Sequence, residues 1–288
     1  MRDLQLAALR VRLSRLRVRL RGRGARTLSC SWEAQFGDFV NGAQIVVDQF
    51  LVAGLSKWGQ TSRLTLLLPH GYEGTGPSTR APSSSDSSSC AAQENIRVAN
   101  CTNAAQYFHL LRRQALDATA RPLVVMTPKG LLRPEAGKLR LADLSEGKFE
   151  PVARRSARRS TRRVTRLVLC SGKVFYDIDG HEDRAAASSV AVARLEQLYP
   201  FPVESAAALT AAYPNLREIV WAQEEPQNMR APGGRSVIVS RPLHPTMFRC
   251  ATSVVHGVPA RARATRPRIA SSRTGSSARR WGRLPRPV

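Results

Sequence analysis

Two hydrophobic rhythms alternate along the chain. Short apolar runs that close on turn or polar residues lie at 64–68, 96–99, 122–128, 166–172, 190–194 and 218–223, and read as strands. Several are continuous rather than alternating, as strands covered on both faces are. Between them the period is helical. Over 41–50, Ala43, Val46, Val47 and Phe50 fall on one stripe. Over 104–116, Tyr107, Leu110, Leu111 and Gln114 do the same, and 203–213 is an alanine-rich helix. Strands alternating with helices predict an α/β fold with a mostly parallel sheet, in two units meeting near residue 150.

Three stretches break this texture. Residues 1–31 carry nine arginines and one aspartate, 153–163 carry six arginines, and 230–288 carry thirteen arginines and no acid. The chain's formal charge is +24, so everything outside these blocks nets to −3. A basic protein of this charge would ordinarily suggest nucleic acid or an anionic surface. Here the charge is segregated, and the remainder is an ordinary, slightly acidic protein. Leucine and arginine alternate with period two in 1–31, which gives no helical face for a mitochondrial transit peptide. Residues 78–89 and 230–288 have linker-like and disordered compositions. No apolar run approaches a membrane span. Five widely spaced cysteines without a CxxC pair argue against a disulfide framework or zinc, and for a reducing compartment.

The densest candidate chemistry is LTLLLPHGYEGTG, residues 64–76. Ligands of open α/β sheets sit beyond the carboxyl ends of strands. Glycines let such a loop approach a ligand closely, and His70 can move a proton near neutral pH. Phe36 and Phe39, in FGDF, read as core aromatics at helical spacing. Glu73, Lys129, Lys173, Glu224 and Glu225, in loops or at strand ends, read as structural.

Seven motifs in order then carry a resemblance: WEAQFGDFVNGAQIVVDQF (32–50), KWGQTSRLTLLLPHGYEGTGP (57–77), AQYFHLLRRQAL, RPLVVMTPKGLLRP, LVLCSGKVFYD, LEQLYPFP and VWAQEEPQNM. Together they resemble the C-terminal part of the 2-oxoglutarate dehydrogenase family, thiamine-diphosphate-dependent decarboxylases of transketolase-like fold. The resemblance implies a partial pyrimidine-binding domain over 32–135 and an incomplete C-terminal α/β domain over 136–229, flanked by 1–31 and a basic tail, 230–288. It implies oxidative decarboxylation of 2-oxoglutarate in the tricarboxylic acid cycle, with succinyl passed to lipoamide. His70 becomes an active-site and cofactor-binding residue, with Phe36 and Phe39 lining the aminopyrimidine pocket. The implied cofactor is thiamine diphosphate, with magnesium held by a domain outside this chain; no metal ligand is assigned here. The implied partners are a second copy and the lipoyl-bearing succinyltransferase, with no nucleic acid and no membrane. The implied location is a bacterial cytoplasm, or alternatively a mitochondrial matrix. Without the diphosphate-binding domain, the polypeptide alone is expected to be inactive. The alternatives are a binder of nucleic acid or anionic surfaces using the arginine blocks, and a non-catalytic assembly module.

The chain departs from the family where it turns basic. The loop after Gly76 reads PSTRAPSSSDSSSC and lacks the family's second histidine; RVRLRGRG stands where FEYGY and the acid that engages the aminopyrimidine are expected. Out-of-frame translation of a GC-rich gene accounts for this. Arg17-Val18-Arg19 encoded as CGA-GTA-CGG gives Glu-Tyr-Gly when shifted by one base, and PRIASSRTGSSARRWG shifts to a family-like final helix. This reading expects 230–288 to leave the last strand's edge bare.

Overall fold

The structure, a computed structural model, describes residues 31–34, 37–70, 93–128, 131, 140–154, 161–222 and 248–250. It divides into two units. The described residues up to 70, 93–150 and 197–200 make the first; those of 151–196 and from 201 onward make the second.

The first unit is built on a five-stranded sheet: β1 (Ser31–Glu33), β2 (Thr65–His70), β4 (Leu123–Pro128), β3 (Arg97–Asn100) and β8 (Gln197–Tyr199), in that spatial order. The first four are parallel, with Glu33, Leu67, Val125 and Ala99 level with one another. β8 runs antiparallel to β3, returning from late in the chain. Helix α3 (Ala104–Leu116) follows β3 after a three-residue turn. Asn103 caps it, its Oδ1 accepting from Gln106 N at 2.8 Å. Leu110 packs on Ala99, Cys101, Leu123, Val125 and Phe149. Full burial of such a leucine stabilises by about 1.5–3 kcal/mol. The polar residues of the buried face have partners. Gln106 exchanges two bonds with the Glu150 backbone, and Gln114 Nε2 donates to Arg121 O at 2.7 Å.

The helix expected over 41–50 is corrected. The chain coils from Gly37–Ala43 as a 3-10 turn, through α1 (Gln44–Val46), to a wide π turn at Val47–Val52. Changing residues per turn rotates the apolar stripe. Ala43, Val46 and Leu51 are buried, but Phe50 is 47% exposed and lies against Trp58, ring centroids 5.6 Å apart. Helix α2 (Gly54–Trp58) stops at Gly59, whose φ of 62° suits glycine. Helix α4 (Leu141–Ser145) packs on α3, where Asp143 O lies 2.9 Å from His109 Nε2.

The second unit's sheet has the order β10 (Phe248–Cys250), β9 (Glu218–Ala222), β6 (Arg166–Cys170), β7 (Val190–Leu195) and β5 (Val152–Arg154); only β5 is antiparallel. The strand expected to reach 172 ends at Cys170, because Gly172 turns the chain at φ 71° into helix α5 (Val174–Asp179). Helix α6 (Val203–Ala211) precedes β9. Trp221 is 1% exposed and Arg166 pairs with Glu218 at 2.6 Å. β10 corrects the expectation of a bare β9 edge: backbone pairing needs no family pattern, and three residues of the basic tail supply it.

Candidate functional site

The parallel strands of the first sheet converge at one edge on Glu33, His70, Pro128 and Asn100. His70 is the last residue of β2, opposite Pro128. Its side chain lies outside the described residues, as do Phe36 and the side chain of Phe39. The backbone of Phe39 belongs to the 3-10 turn that packs against β2. The fold therefore brings the backbones of two expected site residues, Phe39 and His70, to neighbouring elements. Glu73, Lys129, Glu224 and Glu225 lie outside the described residues. Lys173 has an ion-pair role, its Nζ 3.1 Å from Asp177 Oδ1.

Other residues at this edge escaped the sequence reading. Asn100 is 7% exposed, and its Oδ1 is buried without a hydrogen-bond partner. Thr127 Oγ1, on the next strand and one residue beyond the level of Asn100, is likewise buried and unpartnered. A buried acceptor left unpaired costs about 1–3 kcal/mol, so such atoms ask for an explanation. Tyr107 sits in the first turn of α3. Burial pushes its phenol above the ordinary range, and Cys101 and Glu33 push it further. The available signal was VANCTN, polar residues crowding a strand end; reading the strand as ending at Ala99 hid it.

By register Asn100 falls on the same face of the sheet as the His70 position and Thr127 on the opposite face. A carboxamide oxygen without a partner on the His70 face suits a ligand that brings N–H donors, and an aminopyrimidine does. The edge fits that half of thiamine diphosphate. Among the described residues no three His, Cys, Asp or Glu side chains gather as a metal site.

Comparison with known proteins agrees with this geometry. Residues 23–135 match the pyrimidine-binding domain of transketolase, and 138–280 match the 2-oxoglutarate dehydrogenase C-terminal family. Both reach past the motif-bearing stretch 32–229, the second through most of the basic tail. The 2-oxoglutarate dehydrogenase E1 component of Bacillus subtilis is 52% identical over 208 residues, 70% of this chain and 22% of that protein. That of Cupriavidus necator is 50% identical over 200 residues, 69% and 21% respectively, and that of Azotobacter vinelandii is 46% identical over the same shares. The chain thus spans about a fifth of the length of the curated relatives it matches. With two family matches in succession and a parallel sheet to carry them, the chain belongs to the 2-oxoglutarate dehydrogenase E1 family.

Proposed function

We propose that this chain supplies the aminopyrimidine side of the active site in a thiamine-diphosphate-dependent E1 component. That component decarboxylates 2-oxoglutarate in the tricarboxylic acid cycle and hands succinyl to a lipoyl-bearing succinyltransferase. The observation that carries this is the position of His70, at the carboxyl end of a central parallel strand inside the stretch matching a pyrimidine-binding domain. Thiamine diphosphate, when bound, would supply the chemistry for decarboxylating a 2-oxo acid. The chain's own residues have simpler tasks. His70 moves a proton beside the reacting carbon. Phe36 and Phe39 present aromatic faces to the ring, and Asn100, which by register shares a face of the sheet with the His70 position, accepts from its amino group.

A homodimer belongs to the same proposal. Ile45, Phe50 and Trp58 are 77%, 47% and 50% exposed, an apolar face around the 3-10/π coil that a second copy would cover. No helix among the described residues is long and apolar enough to cross a membrane. A cytoplasmic setting rests on the bacterial relatives.

The test supplies the preceding part of the Bacillus subtilis relative in trans and follows carbon dioxide release from 2-oxoglutarate. Release is expected only from the mixture, and His70→Ala should lower it by roughly a hundredfold or more. Thiamine diphosphate that binds the mixture no better than the supplied part alone would overturn the proposal.

A further inference from the structure

The arginine blocks have no part in that function, and one of them gains a partner from the fold. Residues 153–163 enter the second unit between β5 and β6. β5 runs antiparallel to β7, with Arg154 opposite Ala193 and so level with Leu169, three residues from the amino end of β7. Thr161–Arg163 form one 3-10 turn just before β6, with the Arg162 and Arg163 side chains exposed; Arg154 is exposed as well. Arg217 lies more than fifty residues further along the chain. Yet Asn215 Nδ2 donates to Arg162 O at 2.7 Å, and Arg217 N donates to Thr165 O at 2.8 Å. These bonds hold the start of β9 beside the start of β6. Glu218, the acid next to Arg217, is already engaged by Arg166 at 2.6 Å.

From this placement we infer that Arg162, Arg163 and Arg217 form a surface on the amino edge of the second sheet that binds the phosphodiester backbone of nucleic acid, without reading base sequence. Guanidinium groups match phosphate oxygens in planar, two-pronged fashion, and neutralising phosphates releases counterions. Sequence readout needs side chains in a groove or aromatic platforms; the one aromatic that senses Arg154, Tyr213, is half-buried. An anionic membrane is the poorer fit, since interfacial binding needs apolar groups to insert. Val203 is the one large apolar side chain exposed among the described residues of this unit. The inference concerns the arginines as they stand, whatever the history of the block, and it is independent of the proposed decarboxylase role.

The experiment titrates the full chain onto a short labelled DNA duplex across a range of salt concentrations. The triple variant Arg162→Gln, Arg163→Gln, Arg217→Gln is expected to lower the log–log salt slope by about 2–3, at roughly 0.9 per phosphate contact. The control triple Arg261→Gln, Arg263→Gln, Arg266→Gln removes the same charge from the tail and should lower it by less than about 1. The lysine triple at 162, 163 and 217 should keep most of the slope. If circular dichroism shows the glutamine triple unfolded, Arg163→Gln alone should lower the slope by about 0.9. Equal losses in the edge and tail triples would show that net charge binds, not this edge, and would overturn the inference. So would phosphatidylserine vesicles that displace the duplex at equal phosphate.

Discussion

In the first unit the carboxyl ends of β3 and β4 present Asn100 and Thr127, each with a buried oxygen that has no hydrogen-bond partner. In the second unit the matching strand ends are Cys170, whose Sγ donates to Ala193 O at 3.5 Å, and Ala222. The buried cations of the second unit hold the chain together. Arg184 donates to Ala187 O and Val190 O at 3.4 and 3.2 Å; Arg194 lies over the Phe175 ring at 4.7 Å and beside Glu196 at 3.5 Å. Each sheet is mainly parallel with one antiparallel edge strand. At the carboxyl ends of the strands the first leaves oxygens of Asn100 and Thr127 without hydrogen-bond partners, and the second leaves Nε of Arg194, level with Cys170. At their strand ends the first unit presents oxygen acceptors and the second a cation.

The largest expected effect tests whether the second unit is purely architectural. Trp221 is fully buried on β9, and Trp221→Ala should destabilise the protein by about 3–5 kcal/mol. Chemical denaturation followed by circular dichroism reads this. Leu110→Ala, in the core of the first unit, should cost about 2–5 kcal/mol. If the Trp221 variant lost under about 1 kcal/mol, the second sheet would not be a cooperative core.

A sharper test exchanges polar groups for apolar ones of similar size in each unit. Arg184→Met strands two carbonyls and should cost about 3 kcal/mol. Asn100→Leu removes an acceptor that already lacks a partner, so stability should stay level or rise by about 1 kcal/mol. The same variant should weaken thiamine diphosphate binding in the complemented mixture. Stability gained where binding is lost is the signature of a residue retained for a ligand. A clear destabilisation by Asn100→Leu would mean that its carboxamide serves the fold.

What the sequence made legible follows from period and length. The helix at 104–116 and the strand at 190–194 have long or continuous apolar patterns, and both stand within a residue of their expected bounds. The coil at 37–52 misled because its apolar residues fit a single helical period while the backbone passes through three. β1, β5, β8 and β10, three residues each, are too short to show a rhythm, and pairing alone defines them. At the candidate site, His70 was visible because a histidine among glycines after an apolar run is conspicuous. Asn100 and Thr127 were not, since what distinguishes them is the absence of partners, which only three dimensions reveal. The nucleotide sequence tests the out-of-frame account of the basic blocks: an uninterrupted frame would remove it.

The smallest expected effect concerns tyrosine ionisation, and it compares the units through their neighbours. Burial raises the phenols of Tyr107, Tyr176 and Tyr213 above the ordinary value near 10. In the first unit the neighbours of Tyr107, Cys101 and Glu33, push the same way. In the second unit arginines oppose burial: Arg194 at Tyr176, where Glu196 pushes back upward, and Arg154 at Tyr213. Folded values above unfolded ones mean that the folded chain holds these protons more tightly. Their contribution is complete below about pH 10 and is lost as pH climbs through the raised values. Glu33→Gln should therefore bring Tyr107 down, whereas Arg154→Gln should send Tyr213 further up. Ultraviolet difference titration, with each tyrosine assigned by its phenylalanine variant, reads both shifts. If neither tyrosine moved, burial alone would set them and the charged neighbours would be electrostatically silent.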